Sequence, residues 1–301
     1  MERKDTGLLD RELLTRLGNL AFEARGFVSG GFSGRHRSSH RGSSVDFAQY
    51  RKYVPGDDIK HIDWRVFGRT ERYFVKEFDA DTNMRCHLVL DSSHSMAYEH
   101  KHGSKIDYAK KLMAVLAHIL VQQGDSVGLQ SFDVKMHTDI PPRQSPRHLH
   151  ALMETLAGIK AGEETDLANN LDMIAGKTRN RALIIVFSDF FTEPEELNKV
   201  FGHFAFKKHD LAIFHLVDEM EMNFEITQPT RFVDMEGRSS LMVEPELIRG
   251  RYLKMFDDYL KELRACALKN QVDYRLARTG EDPEKVLSSF LLDRIIGRGR
   301  K

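Results

Sequence analysis

The chain has 301 residues, 45 of them basic and 45 acidic, for a formal net charge of zero. That length can bury the core of one α/β domain with an extension, or of two domains. The balanced charge excludes a whole-molecule attraction to nucleic acid or anionic lipid, so nucleic acid is not an expected partner unless a local patch supplies the charge. No stretch approaches the roughly 18 to 20 apolar residues that span a bilayer, and the opening MERKDTGLLDRELL carries charges where a secretory leader needs an apolar centre. No integral membrane segment is therefore expected. Cys86 and Cys266 lie far apart in apolar-periodic segments, which suits reduced core thiols and a cytoplasmic location.

In chain order, Leu8, Leu9, Leu13, Leu14, Leu17, Leu20 and Ala21 recur at helical spacing and predict an amphipathic helix ending near Gly26. A Gly/Ser/Arg/His-rich loop follows to Ser44, in which Arg25, Arg35, Arg37 and Arg41 have no acidic neighbour before Asp46. It reads either as a solvated linker or as a contact for an anion, RNA or an acidic partner. Between Phe47 and Asp79, Pro55-Gly56 marks a turn and Tyr73-Phe74-Val75 a short strand. Trp64, among Ile59, Ile62 and Phe67, is expected to be buried with this segment ordered against the main core. Asp57, Asp58 and Asp63 hold turns and caps or pair with Arg51 and Arg65, or else form with Arg51 and Trp64 a partner surface.

From residue 85 onward strands and helices alternate. His87–Leu90 is a strand, Tyr108–Gln123 a helix ended by Gly124, Ser126–Phe132 a strand, and Pro146 opens a helix to about Ala157. A helix through Leu167, Leu171 and Ile174 leads to the strand Ala182–Phe187, a helix Pro194–His203 and the strand Leu211–Val217. A hairpin insertion at about 223–243 precedes a helix 246–269, a strand 272–277, a helix 283–296 and a frayed tail. This alternation predicts a doubly wound, mostly parallel α/β sheet with an N-terminal extension. The expected organisation is an N-terminal helix and loop (1–44), a segment packed on the core (45–84) and the α/β domain (85–301).

The chemistry centres on the end of the first strand of that domain. His87-Leu88-Val89-Leu90 runs into Asp91-Ser92-Ser93-His94-Ser95, which presents Asp91, Ser93 and Ser95 at the carboxyl edge of a sheet, where open α/β folds bind ligands. Thr165 lies in Gly162-Glu163-Glu164-Thr165-Asp166-Leu167, and Asp189 follows a second apolar strand through Ser188. The pattern DxSxS, T, D resembles the metal-ion-dependent adhesion site (MIDAS) of von Willebrand factor A (vWA) domains. Upstream, Tyr50-Arg51-Lys52-Tyr53-Val54-Pro55-Gly56-Asp57-Asp58-Ile59-Lys60-His61-Ile62-Asp63-Trp64 is similar to the signature of DUF58 proteins, which carry a vWA domain behind such a segment. Many of them also carry membrane helices before it, a pattern from which this sequence departs.

The resemblance implies a metal site of Asp91, Ser93, Ser95, Thr165 and Asp189, with Asp166 holding a helix start or a water behind it. Hydroxyl and carboxylate oxygens suit Mg²⁺, with Mn²⁺ or Ca²⁺ as alternatives. It further implies a protein partner donating a carboxylate to the metal, and an adaptor or co-chaperone role with a MoxR-type AAA+ ATPase. Phe190 departs from the pattern, since glycine often follows the aspartate there, and is expected to crowd the rim. No catalytic residue is assigned. His94 lies beside Ser93, but no GxSxG elbow or GxxxxGK[ST] loop occurs, and His100 and His102 read as a solvated loop. The competing readings are a binder using the basic segment 25–41 and, third, a hydrolase.

Overall fold

The computed structural model describes residues 15–17, 45–54, 62–80, 84–162, 164–233 and 240–298. The expected loop 25–44, Asp57 and Asp58, and most of the expected N-terminal helix lie outside these residues; of that helix, 15–17 is helical and Leu17 is buried. The chain divides into two units, residues 25–83 and the remainder.

In the smaller unit, β1 (Val45–Lys52) and β2 (Phe74–Ala80) pair antiparallel, with Val45 opposite Ala80 and Lys52 opposite Phe74. Between them lies α1 (Trp64–Thr70), whose N-cap Asp63 accepts from the Arg65 and Val66 amides at 2.9 and 3.3 Å. Asp63 thus holds a helix start, satisfying amides that the first turn leaves without partners. Phe67 stacks on Tyr73 at 4.5 Å, and Trp64 meets the Phe67 ring edge-on. The expected burial of Trp64 is overturned. It occupies the first position of a two-turn helix with no buried residue and leaves 59% of its surface exposed.

The larger unit is built on a six-stranded sheet of β3 (Arg85–Asp91), β6 (Ser126–Phe132), β7 (Met136–Arg143), β8 (Leu183–Ser188), β9 (Asp210–Val217) and β12 (Asp273–Arg278). The spatial order is β12-β9-β8-β3-β6-β7, parallel throughout except for the antiparallel edge strand β7. A short antiparallel pair, β4 (Glu99–His100) and β5 (Gly103–Ser104), precedes α2 (Lys105–Gln122). α3 (Pro146–Gly158), α4 (Leu167–Lys177), α5 (Pro194–Phe206), α6 (Glu219–Asn223), α7 (Pro245–Lys269) and α8 (Pro283–Arg298) supply the connections.

Strands covered on both faces must be apolar at successive residues. In β8, Leu183, Ile185 and Phe187 join a core with Leu112 and Leu116 of α2, Leu152 of α3 and Phe290 of α8. Ile184 and Val186 face the opposite core with Leu171 of α4, Phe201 of α5 and Leu263 of α7. The sequence reading missed β7, whose Pro141 and Pro142 are tolerated because it is an edge strand. Gly128 of β6 lets β7 approach, since a Cβ there would lie 2.6 Å from the Ile140 carbonyl oxygen. The insertion appears as the antiparallel pair β10 (Thr230–Val233) and β11 (Ser240–Val243), whose turn lies outside the described residues.

Candidate metal centre

From β3 the chain crosses to β6 on one side and later to β8 on the other, so the carboxyl ends of β3 and β8 flank a topological switch point, the crevice where open α/β sheets bind ligands. Asp91 ends β3, and Asp189 follows the last residue of β8. Both are buried.

Asp91 Oδ1 accepts from the Ser93 amide at 3.0 Å and Oδ2 from Ser188 Oγ at 2.6 Å. Ser92 turns to the neighbouring strand, its amide and hydroxyl both donating to the Phe132 carbonyl, which leaves the alternate residues Ser93 and Ser95 on the Asp91 side. Ser93 stands at the N-cap of a 3₁₀ turn (His94–Ala97) without capping it; its hydroxyl meets Ser95 Oγ at 3.1 Å instead. The Thr165 loop is fastened nearby, because the Gly162 amide donates to the Ser92 carbonyl at 2.7 Å. A Cβ at Gly162 would collide with the Asp133 carboxylate. Asp166 holds the start of α4, accepting from the Asn169 amide and Nδ2.

Burial, and then the charge of Asp189, push the Asp91 carboxyl up to about 7, opposed by its hydrogen bonds from Ser188 and Ser93. Of the candidate ligands, Asp189 Oδ1 and Thr165 Oγ1 are buried without a hydrogen-bond partner, an unusual state for buried polar atoms. Two carboxylates and three hydroxyls, one oxygen of each kind left unpartnered, fit a hard divalent cation, and Asp91, Ser93, Ser95, Thr165 and Asp189 are the residues that would hold it. Among the described residues no cluster of three His, Cys, Asp or Glu side chains forms a metal site of its own, so the hydroxyls are integral to this reading.

The expectation that Phe190 crowds the rim is overturned. Phe190 takes φ 53°, the left-handed region that favours glycine, but its ring is buried with Leu171, Phe201 and Ile213. Its amide donates to Ser188 Oγ at 2.9 Å, and its carbonyl accepts from the Tyr259 hydroxyl. Phe191 is the residue at the surface instead, 60% exposed.

The sequence reading also missed Lys105, whose Nζ donates to Asp189 Oδ2 and to Glu221 Oε1, both at 2.8 Å. Burial works against its charge, but the two carboxylates hold its pKa above the ordinary lysine value. Behind Asp189, His215 is buried and bonded to the Tyr274 hydroxyl at 3.0 Å, and burial lowers its pKa to about 4. His100 and His102 are not simply solvated: they lie 3.7 Å from Asp218 and Glu219 respectively. His94 is exposed, and Ser93 Oγ pairs with a hydroxyl rather than an imidazole. Cys86 and Cys266 are free thiols. Among the described residues no helix is long and apolar enough to cross a membrane.

Strand order defines a doubly wound, mostly parallel α/β domain with one antiparallel edge strand. The family model described as "Protein of unknown function DUF58" matches residues 49–261, and the chain belongs to that family. It is 28% identical over 184 residues to the uncharacterized protein Rv1480 of Mycobacterium tuberculosis, covering 60% of this chain and 58% of that protein. It is 27% identical over 118 residues to YeaD of Bacillus subtilis, covering 39% and 27% respectively. The chain therefore spans little more than half the length of the mycobacterial relative.

Among solved structures it is similar to the conserved hypothetical protein BatB from Bacteroides thetaiotaomicron, with a TM-score of 0.48, 16% identity, and coverage of 71% of this chain and 100% of the other. It is also similar to the SpRpn10 VWA domain, with a TM-score of 0.41, 11% identity, and coverage of 71% and 95%.

Proposed function

We propose that this DUF58 protein is a non-enzymatic, divalent-cation-dependent protein-binding module. Asp91, Ser93, Ser95, Thr165 and Asp189 hold Mg²⁺, which Mn²⁺ or Ca²⁺ can replace, and a partner carboxylate completes the coordination. The observation that carries this reading is the adjacent pair of buried carboxylates at the switch point, Asp91 and Asp189, with Asp189 Oδ1 left without a hydrogen-bond partner. Lys105 offsets only part of this buried negative charge; leaving the remainder uncompensated is costly, and a divalent cation offsets it while remaining able to accept one more anion.

By the family resemblance stated above, the partner is a MoxR-type AAA+ ATPase, for which the chain acts as adaptor or co-chaperone in assembly or maturation. The test is a Mn²⁺ titration of the purified chain by calorimetry, followed by capture of such an ATPase in Mg²⁺ and in chelator. Saturable one-site binding with chelator-sensitive capture supports the proposal. Absence of ion binding refutes its cation part, and chelator-insensitive capture refutes metal-mediated docking.

A further inference from the structure

Lysine is seldom fully buried unless paired, yet only 1% of the Lys105 side chain is exposed. It stands in the first turn of α2, and its ammonium is shared between Asp189, at the end of β8, and Glu221 on α6. The rings of Tyr98 and Phe191 flank it, with centroids at 5.8 and 5.6 Å. The pairing divides the Asp189 carboxylate: Oδ2 holds the ammonium, while Oδ1 is left buried and without a partner. Glu221 is itself fixed in place. Its Oε2 accepts from the Asp218 amide at 2.7 Å in a capping box, and its carbonyl accepts from the Tyr252 hydroxyl at 2.9 Å. Lys105 is therefore locked between a carboxylate of the candidate metal centre and one anchored outside it.

The charges sum simply. Asp91, Asp189 and Glu221 contribute three negative charges when ionised, and Lys105 one positive charge, leaving the two that a single divalent ion cancels. We infer that Lys105 is a fixed internal cation that sets the charge of this site and thereby limits its affinity for divalent ions. This inference rests on the cation-binding reading above. With Lys105 present the ion-filled site is neutral, and an incoming carboxylate meets no net repulsion. Without it the filled site carries one excess negative charge and holds the ion more tightly; without the Glu221 charge it carries one excess positive charge and holds the ion less tightly.

The experiment is Mn²⁺ titration of the full chain and of its Lys105→Met, Lys105→Arg and Glu221→Gln variants, read by calorimetry and by the rise in melting temperature on ion addition. Lys105→Met is expected to bind roughly tenfold tighter and Glu221→Gln roughly tenfold weaker, the scale of one partly screened buried charge. Lys105→Arg, which keeps the charge, should stay within about threefold of wild type. A lysine that only braces the fold would weaken binding in both neutralising variants or change neither, and either result overturns the inference. Should Lys105→Met fail to fold, wild-type affinity in Glu221→Gln alone overturns it. A wild-type chain that binds no Mn²⁺ overturns the cation-binding reading itself, an outcome distinct from wild-type binding with unresponsive variants.

Discussion

Phe190 supplies the sharpest test of how the site is held. Its φ of 53° places a bulky side chain in the left-handed region, where a residue other than glycine costs about 1 to 2 kcal/mol. The conformation persists because the ring is completely buried and because Ser188 and Tyr259 hold the peptide groups on either side. Removing the ring as Phe190→Ala should cost about 3 to 5 kcal/mol, the usual loss for a buried phenylalanine. Phe190→Gly loses the same ring and about 0.5 to 1 kcal/mol more in chain flexibility, but it recovers the left-handed penalty. The glycine variant should therefore be more stable than the alanine variant by about 0.5 to 1 kcal/mol, the reverse of their order at an ordinary position. Urea unfolding in chelator, followed by far-UV circular dichroism, measures both differences without ion binding. An alanine variant equal to or more stable than the glycine variant would refute the backbone argument. A glycine variant as stable as wild type would refute the packing argument.

Asp91→Asn should abolish Mn²⁺ binding while preserving the fold, because it removes one of the site's two buried carboxylates but keeps an oxygen for Ser93 or Ser188; retained Mn²⁺ affinity by calorimetry would remove Asp91 from the site. With its carboxyl pushed up from 3.8 to about 7, folded ion-free protein keeps a proton that the unfolded chain releases, so this group's contribution to stability is lost as pH rises from 3.8 through about 7. His215 acts oppositely: held down at about 4 against 6.5, it costs stability as pH falls from 6.5 toward 4. Subtracting the Asp91→Asn profile from that of wild type isolates the Asp91 part, and a flat difference between pH 4 and 7 would contradict it. Divalent affinity should also fall as pH drops below about 7, since the ion must displace that proton. Trp64, the only tryptophan of the chain and 59% exposed, should emit at long wavelength and be quenched by iodide, and Trp64→Ala should cost less than about 1 kcal/mol; blue-shifted, protected emission would show a buried ring.

The alternation of apolar strands with amphipathic helices was enough to read the parallel core, because a strand covered on both faces requires consecutive apolar residues and a helix at its surface requires the 3.6-residue period. The placement of Asp91 and Asp189 at strand ends was legible for the same reason: a carboxylate directly after such a run must lie at the edge of the sheet. Three other features needed the tertiary structure. β7 escaped notice because Pro141 and Pro142 oppose a strand unless it lies at an edge, and edge position is a property of the whole sheet. Phe190 reads locally as an obstruction, and only the pocket between α4, α5 and β9 turns its ring inward. Lys105, in the first turn of a helix, reads as a solvated charge until Asp189 and Glu221, 84 and 116 residues further along, are brought to it by strands adjacent only in space. Local periodicity determines which segments become strands and helices; which charges share a buried site is decided by long-range packing alone.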